Sequence, residues 1–308
     1  MIFFNMKSFY FNKFLFSACR PKQWTKNLLV FSAPLFSFTY ISNVWISALF
    51  TFIGFCLISS SIYLVNDVLD IEADRKHHKK KKRAIASGLI SKKKAVSFSC
   101  LLIFLSYLIA FLVNSKIILV ISIYLIIQFC YCFQLKKKPI LDIFCISAGF
   151  LLRAIAGGLA SDLEISPWFL LSITLLALFL AIEKRKAELR IAIKKDIFTR
   201  EVLRYYSINL LNRFENIVAT GSFFSYALWA AGPSLNGAST TWMLLTVPFV
   251  LMGIFRYQLI SDPHNQNVTN NLIFKSENPE DILVDDIGIK LILIGWLLTT
   301  MVIGFFVL

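Results

Sequence analysis

Apolar residues run through this chain in stretches too long and too unbroken to be single faces of soluble helices. Nine of them lie near 28–45, 46–66, 95–113, 117–135, 140–160, 167–183, 214–231, 241–260 and 288–307. Each reaches or approaches the roughly 20 residues a helix needs to cross a hydrocarbon core of about 30 Å. The pattern predicts an all-α polytopic membrane protein, a bundle of nine transmembrane helices forming one domain over 1–308. The first two stretches merge from Leu28 to Val65, and Asn43 is the expected turn between them. Residues 1–27 read as a cytoplasmic and interfacial lead-in. Within it, 1–18 has aromatics but no small-residue cleavage pattern and is not expected to be a signal peptide.

Composition agrees with the pattern. Of 308 residues, 57% are hydrophobic and 16% charged, with a mean hydropathy of +0.69. Soluble domains carry about 25% charged residues, so an ordinary soluble enzyme, a disordered chain and a disulfide-built secreted domain are all excluded. The six cysteines show no metal spacing and are expected to be reduced packing residues.

The net charge of +14 changes the picture through its placement. Of 32 Lys and Arg, five precede the first stretch, ten lie within 75–94, three within 136–138 and nine within 184–213. Arg256, Lys275 and Lys290 flank the segment before the last stretch. Nine crossings put all of these on one side, leaving Lys116 opposite and Arg153 within a helix. By the positive-inside rule the N-terminus is cytoplasmic and the C-terminus outside. Basic charge distributed in this way marks orientation and attraction to membrane lipids rather than nucleic acid, for which no soluble domain presents a groove.

The candidate chemistry begins at the cytoplasmic end of the second stretch, in YLVNDVLDIEADR (63–75). At about 100° per residue, Asp67, Asp70 and Asp74 fall within roughly 60° of one helix face. Three carboxylates so placed repel one another and call for a cation; oxygen ligands in this number suit Mg²⁺ with substrate phosphates. A solvated helix end paired with lysines is the alternative. A basic loop follows (75–83), including Lys80 and Arg83, which reads either as a phosphate-neutralising wall or as attraction to the membrane surface.

A second cluster, EKRKAELR (183–190), sets Lys184 and Arg185 at four and three residues from Glu188, spacings that allow ion pairs. It reads as a helix end with orienting charge or as a second wall of a phosphate site. Asp142 opens the fifth stretch, and Arg153 lies eleven residues on, about three turns along the same face. An intramembrane arginine faces a bundle interior or cavity, in a structural pair or in function. RPKQWTKN (20–27) is an interface anchor or a third patch of donors.

These stretches together resemble the UbiA-type intramembrane prenyltransferase superfamily, and within it the decaprenyl-phosphate phosphoribosyltransferase branch. The likeness rests on RPKQWTKN (20–27), YLVNDVLDIEADRKH (63–77), DIFCISAGFLLRAIAGG (142–158), EKRKAEL (183–189) and NPEDILVDD (278–286), in that order. It implies a multi-pass protein of the inner (plasma) membrane with its active site toward the cytoplasm. It implies transfer of 5-phosphoribose from phosphoribosyl diphosphate to a polyprenyl phosphate, for cell-envelope glycolipid or polysaccharide synthesis. Asn66 belongs to the acidic motif; Asp67, Asp70 and Asp74 would hold Mg²⁺ and through it the diphosphate. Lys80, Arg83, Lys184 and Arg185 would neutralise phosphate oxygens, and Lys22 and Lys26 would meet the lipid phosphate. His78 and Ala84 stand where the family pattern has prolines. Glu183 stands where it has glycine, and the added carboxylate is expected either to fold back onto Lys184 or to weaken diphosphate binding. Two other readings are a prenyl diphosphate donor with an aromatic or other small acceptor, and a transporter or scaffold. Transporters gather polar groups near the midplane, whereas here the charge gathers at one face.

Overall fold

The structure is a computed structural model and describes residues 14–76, 80–196, 200–262 and 285–307. Among these residues every regular element is helical. The α-helices are α1 (Ser32–Phe36), α2 (Ser42–Leu69), α3 (Ile71–Lys76), α4 (Lys92–Val113) and α5 (Ser115–Phe133). They continue with α6 (Leu141–Ser161), α7 (Pro167–Lys195), α8 (Ile208–Ala230), α9 (Val247–Ser261) and α10 (Ile287–Val307). Among the described residues, seven segments are long and apolar enough to cross a membrane: α2, α4, α5, α6, α7 less its last residue, Thr241–Ser261 and α10. They expose large apolar side chains such as Phe104, Phe111, Leu119, Ile126 and Phe305, a surface suited to lipid rather than water.

Of the other two expected stretches, one is an α-helix of lower apolarity and one is largely a 3₁₀ helix. α8 has the length to cross but carries Asn209, Asn212, Arg213, Glu215 and Asn216 in its first half, which lowers its hydropathy. The first stretch is a 3₁₀ helix (Pro21–Phe31) running into α1, and the chain turns at 37–41 rather than at Asn43, which lies in the first turn of α2. Phe38 takes a left-handed φ of 49° there, a conformation no hydropathy pattern reveals.

The chain forms two compact units. The first comprises the described residues of Met1–Leu35, Thr39–Leu135 and Leu152–Glu164. Its α2 and α4 pack through small residues: Ser106 Oγ donates to the Gly54 carbonyl (2.9 Å) and Ser99 Oγ to that of Ser61 (3.2 Å). Asn114 ends α4 and caps α5, its Oδ1 accepting from Lys116 N–H (2.9 Å) while its amide donates to the Leu159 carbonyl (3.1 Å). A 3₁₀ helix repeats every three residues, so Trp24, Asn27 and Val30 share one face. That stripe meets α2: Trp24 Nε1 donates to Ser60 Oγ (3.0 Å), and Asn27 Nδ2 reaches Cys56 Sγ (3.2 Å) and Ser59 Oγ (3.5 Å).

Gly157 lets this helix approach, since a Cβ there would lie 2.1 Å from the Val30 carbonyl oxygen. Gly157→Ala should therefore destabilise the protein by about 1–3 kcal/mol, the usual cost of forced overpacking. Gly54→Ala, whose methyl would meet Ile109 at an ordinary 3.6 Å, should be neutral. Thermal unfolding in detergent would separate the two.

The second unit comprises Phe36–Phe38, Lys136–Leu151 and the described residues of Ile165–Leu308. Its core joins Leu178, Phe179 and Ile182 of α7 to Leu211 and Val218 of α8 and Ile254 and Tyr257 of α9. Phe36 inserts among Phe169, Trp229 and Trp296, with ring centroids 4.9–5.8 Å apart. Asp286 caps α10 by accepting from Ile289 N–H (2.7 Å) and pairs with Arg256 (2.9 Å). The bond from Arg256, aided by that backbone donor, holds the Asp286 carboxyl below its ordinary range. A group with a lowered folded pKa contributes stability that is present above its unfolded pKa and fades as pH falls through the folded value. Asp286→Asn should accordingly flatten the acid limb of the melting-temperature profile between about pH 5 and pH 2, with little change in its slope above pH 6.

Candidate active site

The acidic segment at the end of α2 forms a site within the first unit. Three carboxylates on one continuous face were expected. Instead α2 stops at Leu69 and the chain kinks at Asp70 (φ −95°, ψ 11°) before α3 begins. The helical bonds persist across the kink, from Asp70 N–H to the Asn66 carbonyl (2.9 Å) and from Asp74 N–H to the Asp70 carbonyl (2.8 Å). Asp67 and Asp74 are buried, 3% and 4% exposed, whereas Asp70 and Asn66 are half-buried.

Two arginines close the buried pair. Arg83 Nη1 donates to Asp67 Oδ1 (3.2 Å) and Asp74 Oδ2 (2.7 Å). Arg20 donates to the same Asp67 oxygen, with its guanidinium over the Tyr63 ring, 4.9 Å from the centroid. Burying two carboxylates without such partners would cost several kcal/mol each. Local sequence places both arginines. Arg20 adopts the left-handed conformation (φ 53°) immediately before Pro21 starts the 3₁₀ helix. Arg83 opens a tight loop whose Ile85 and Ile90 are buried with Leu64, Ile71 and Ala95; each such isoleucine stabilises by about 1.5–3 kcal/mol. Arg75 Nε ties α3 to this loop through the Ala86 carbonyl (3.0 Å).

Lys80 and Lys26 are half-buried and Lys22 is exposed. His77, His78 and Lys79, and Pro279 to Asp281 of the later motif, lie outside the described residues. Among the described residues no three His, Cys, Asp or Glu side chains converge closely enough to hold a metal ion by themselves. The donor set nevertheless fits Mg²⁺, which takes one or two carboxylates and completes its shell with water and substrate phosphate. Asp67 and Asp74, with Asp70 between them in sequence, are the residues that would hold it. All six cysteines are free thiols.

Asp142 and Arg153, expected on one face, have separate partners in separate units. In the first unit Arg153 donates from Nε to Asn27 Oδ1 (2.6 Å) and from Nη2 to the Tyr124 hydroxyl (3.0 Å), with Phe55 and Tyr124 rings beneath it. It thereby anchors the 3₁₀ helix from inside the bundle. In the second unit Arg185 donates to Asp142 Oδ2 (2.5 Å) and Glu188 Oε2 (2.7 Å), and both Arg185 and Asp142 are fully buried. The Glu188 spacing behaved as the sequence suggested, and Arg200 adds a further contact at 3.3 Å. The Tyr206 hydroxyl donates to Asp142 Oδ1 (2.6 Å). Burial and that carboxylate push its phenol well above the ordinary range, so it remains a donor at any physiological pH.

Glu183 accepts from Lys186 Nζ (2.7 Å), which also bonds Glu215, itself accepting from Gln258 Nε2 (2.8 Å). These ion pairs make Arg185 and Lys186 parts of a buried framework; Lys184 beside them is half-buried. The sequence motifs included Arg20, Tyr63 and Lys186 without giving any of them an individual partner, and they did not include Tyr124, Tyr206 or Glu215. Arg20 alone carried a local signal, a basic residue held just ahead of a proline.

Long apolar helices and a buried acidic site at the end of one of them define a multi-pass integral membrane protein. The chain belongs to the UbiA prenyltransferase family, whose sequence model matches residues 28–276. It is 36% identical over 297 residues to the decaprenyl-phosphate phosphoribosyltransferase of Mycolicibacterium smegmatis, covering 92% of this chain and 90% of that one. The enzyme of the same name from Corynebacterium glutamicum is 35% identical over 289 residues, 92% of this chain and 84% of that one. Among solved structures, a UbiA homolog from Archaeoglobus fulgidus bound to GPP and Mg²⁺ superposes with a TM-score of 0.70 at 17% identity, over 94% of this chain and 99% of that one. A UbiA homolog from Aeropyrum pernix superposes with a TM-score of 0.58 at 14% identity, over 85% and 96%. These two likenesses establish the fold.

Proposed function

We propose that this protein transfers 5-phosphoribose from phosphoribosyl diphosphate to a membrane polyprenyl phosphate such as decaprenyl phosphate, releasing diphosphate, in the synthesis of cell-envelope glycolipid or polysaccharide. The observation that carries the choice of donor is the extent of likeness, over nine-tenths of both chains, to the enzyme named for that reaction in M. smegmatis. The site supports it chemically, because a buried carboxylate pair closed by arginines suits a strongly anionic leaving group.

In this reading a lipid phosphate oxygen attacks the anomeric carbon as its bond to diphosphate breaks, inverting that centre. The lipid phosphate is already ionised, so no strong general base is needed. Mg²⁺ at Asp67 and Asp74 would supply charge neutralisation to the diphosphate. Asp70, half-buried at the kink, would complete the acidic rim. Arg83 and Lys80 would meet phosphate oxygens, and Lys22 and Lys26 the lipid phosphate. The chain crosses the inner membrane nine times, with the N-terminus and this site at the cytoplasmic side and the C-terminus outside. An 11-residue 3₁₀ helix rising about 2 Å per residue, continued by α1, supports the first crossing; the 23 residues of α8, about 34 Å long, support the seventh.

Purified protein given labelled phosphoribosyl diphosphate, polyprenyl phosphate and Mg²⁺ should yield a phosphoribosyl lipid of the expected mass. The absence of lipid-extractable label would reject the donor. The A. fulgidus homolog bound to GPP and Mg²⁺ favours a second reading, in which a prenyl diphosphate is the donor and an aromatic or other small molecule the acceptor. The same assay with prenyl diphosphates separates the two.

A further inference from the structure

We propose that Arg83 is an exchanging residue: it closes the Asp67–Asp74 pair when no metal is held there, and moves to the diphosphate when metal takes the carboxylates. The proposal deepens the site reading above and rests on its metal-diphosphate part, not on the identity of the sugar.

The geometry separates the two arginines. Arg83 Nη1 contacts Asp67 Oδ1 at 3.2 Å and Asp74 Oδ2 at 2.7 Å, so one cationic group already serves both carboxylates that would hold the metal. Its own side chain is 28% exposed, whereas those of the two aspartates are 4% and 5% exposed. The guanidinium can therefore leave toward solvent while the carboxylates stay in place. Its backbone has no need to follow. Arg83 N–H donates to the Lys80 carbonyl and Ser87 N–H to the Arg83 carbonyl, both at 2.9 Å, and the buried Ile85 and Ile90 hold the loop. Arg20 is fixed by contrast, set by its left-handed backbone before Pro21 and by its stack on Tyr63. It remains the standing counter-charge of Asp67.

Charge decides the direction. Two carboxylates face two guanidinium groups, so the closed site is balanced. A divalent ion entering alone leaves two positive charges in excess and must displace Arg83 from two charged hydrogen bonds. A diphosphate arriving with the metal more than offsets that excess and offers the released guanidinium acceptors of matching bidentate geometry. Metal alone should consequently bind weakly, and metal with diphosphate tightly.

The test uses the full-length protein in detergent, with Mn²⁺ as the metal probe followed by electron paramagnetic resonance and inorganic diphosphate as the anion. In Arg83→Gln, Mn²⁺ alone should bind about tenfold tighter, because its competitor is gone. Diphosphate in the presence of saturating Mn²⁺ should bind about tenfold or more weaker, since a charged hydrogen bond is worth about 1.5–3 kcal/mol. Arg83→Lys, which keeps the charge but loses the fork, should shift both constants in the same opposite directions by less, and it carries the test if the glutamine variant does not fold. Lys93→Gln, an exposed lysine outside the 75–83 loop, should change neither by more than about twofold. Weakening of both constants, or unchanged Mn²⁺ affinity, overturns the exchange. If that result comes with normal Mg²⁺-dependent transfer, the functional reading survives and the exchange alone falls. No Mn²⁺ bound by wild type or variant, with or without diphosphate, overturns the exchange and the metal assignment together.

Discussion

Asp67→Asn and Asp74→Asn should each lower phosphoribosyl transfer by about 10²–10³-fold, the scale of removing one preorganised electrostatic partner from a reaction centre. Both residues are buried and both contact Arg83, so either change also leaves a cation short of its partner. The Arg20 and Arg83 side chains are about a quarter exposed, so each keeps contact with water, Arg20 where it stands on Tyr63 and Arg83 by turning outward, which keeps the loss of stability to about 1–2 kcal/mol after allowance for solvent. The loss of rate should thus far exceed the loss of folded protein. Initial rates with labelled donor, read beside thermal unfolding of the same samples, would show it. Retention of rate within a few-fold in both variants would remove the carboxylate pair from the site.

The second large effect lies in the other unit and has the opposite character. Arg185→Met should cost about 3–5 kcal/mol of stability, because it leaves the fully buried Asp142 carboxylate with no cation and only the Tyr206 hydroxyl, and Asp142→Asn should cost somewhat less, because Arg185 keeps Glu188. Tyr206→Phe, which removes one hydrogen bond to Asp142, should cost about 1 kcal/mol. The double replacement Asp142→Leu with Arg185→Met should recover most of the loss, since both charges leave together and Glu188 keeps Arg200. Unfolding temperatures across this cycle are the measurement. An Arg185→Met protein of normal stability with a raised donor KM would instead make Arg185 a phosphate ligand, as the sequence pattern first suggested.

That contrast shows where reading the chain succeeded and where it stopped. The acidic segment was legible because aspartates at the end of an apolar run are costly and therefore informative. The 100° step placed Asp67 and Asp74 together, as their shared contact with Arg83 bears out, but it gave no sign of the kink at Asp70. Arg185 and Glu188 were paired correctly because three residues along a helix is a local relation. Asp142 and Arg153 were related by the same arithmetic, yet each found a partner from another element, Arg185 in one case and Asn27 with Tyr124 in the other. The first stretch appeared as an ordinary helix because hydropathy does not distinguish a 3₁₀ repeat from an α repeat over so few turns. Only the stripe Trp24, Asn27 and Val30 against α2 makes that difference visible.

The amino-acid order by itself determined a helical protein of the membrane and marked an acidic segment at the end of one apolar run. Those properties follow from transfer free energies and short-range spacing, which act residue by residue. Which acids are brought together, and which arginine closes them, was decided only by tertiary packing. Arg83 meets Asp67 across 16 residues and Arg185 meets Asp142 across 43, and a charge pair that distant exists only where helices have already set two side chains within a few ångströms.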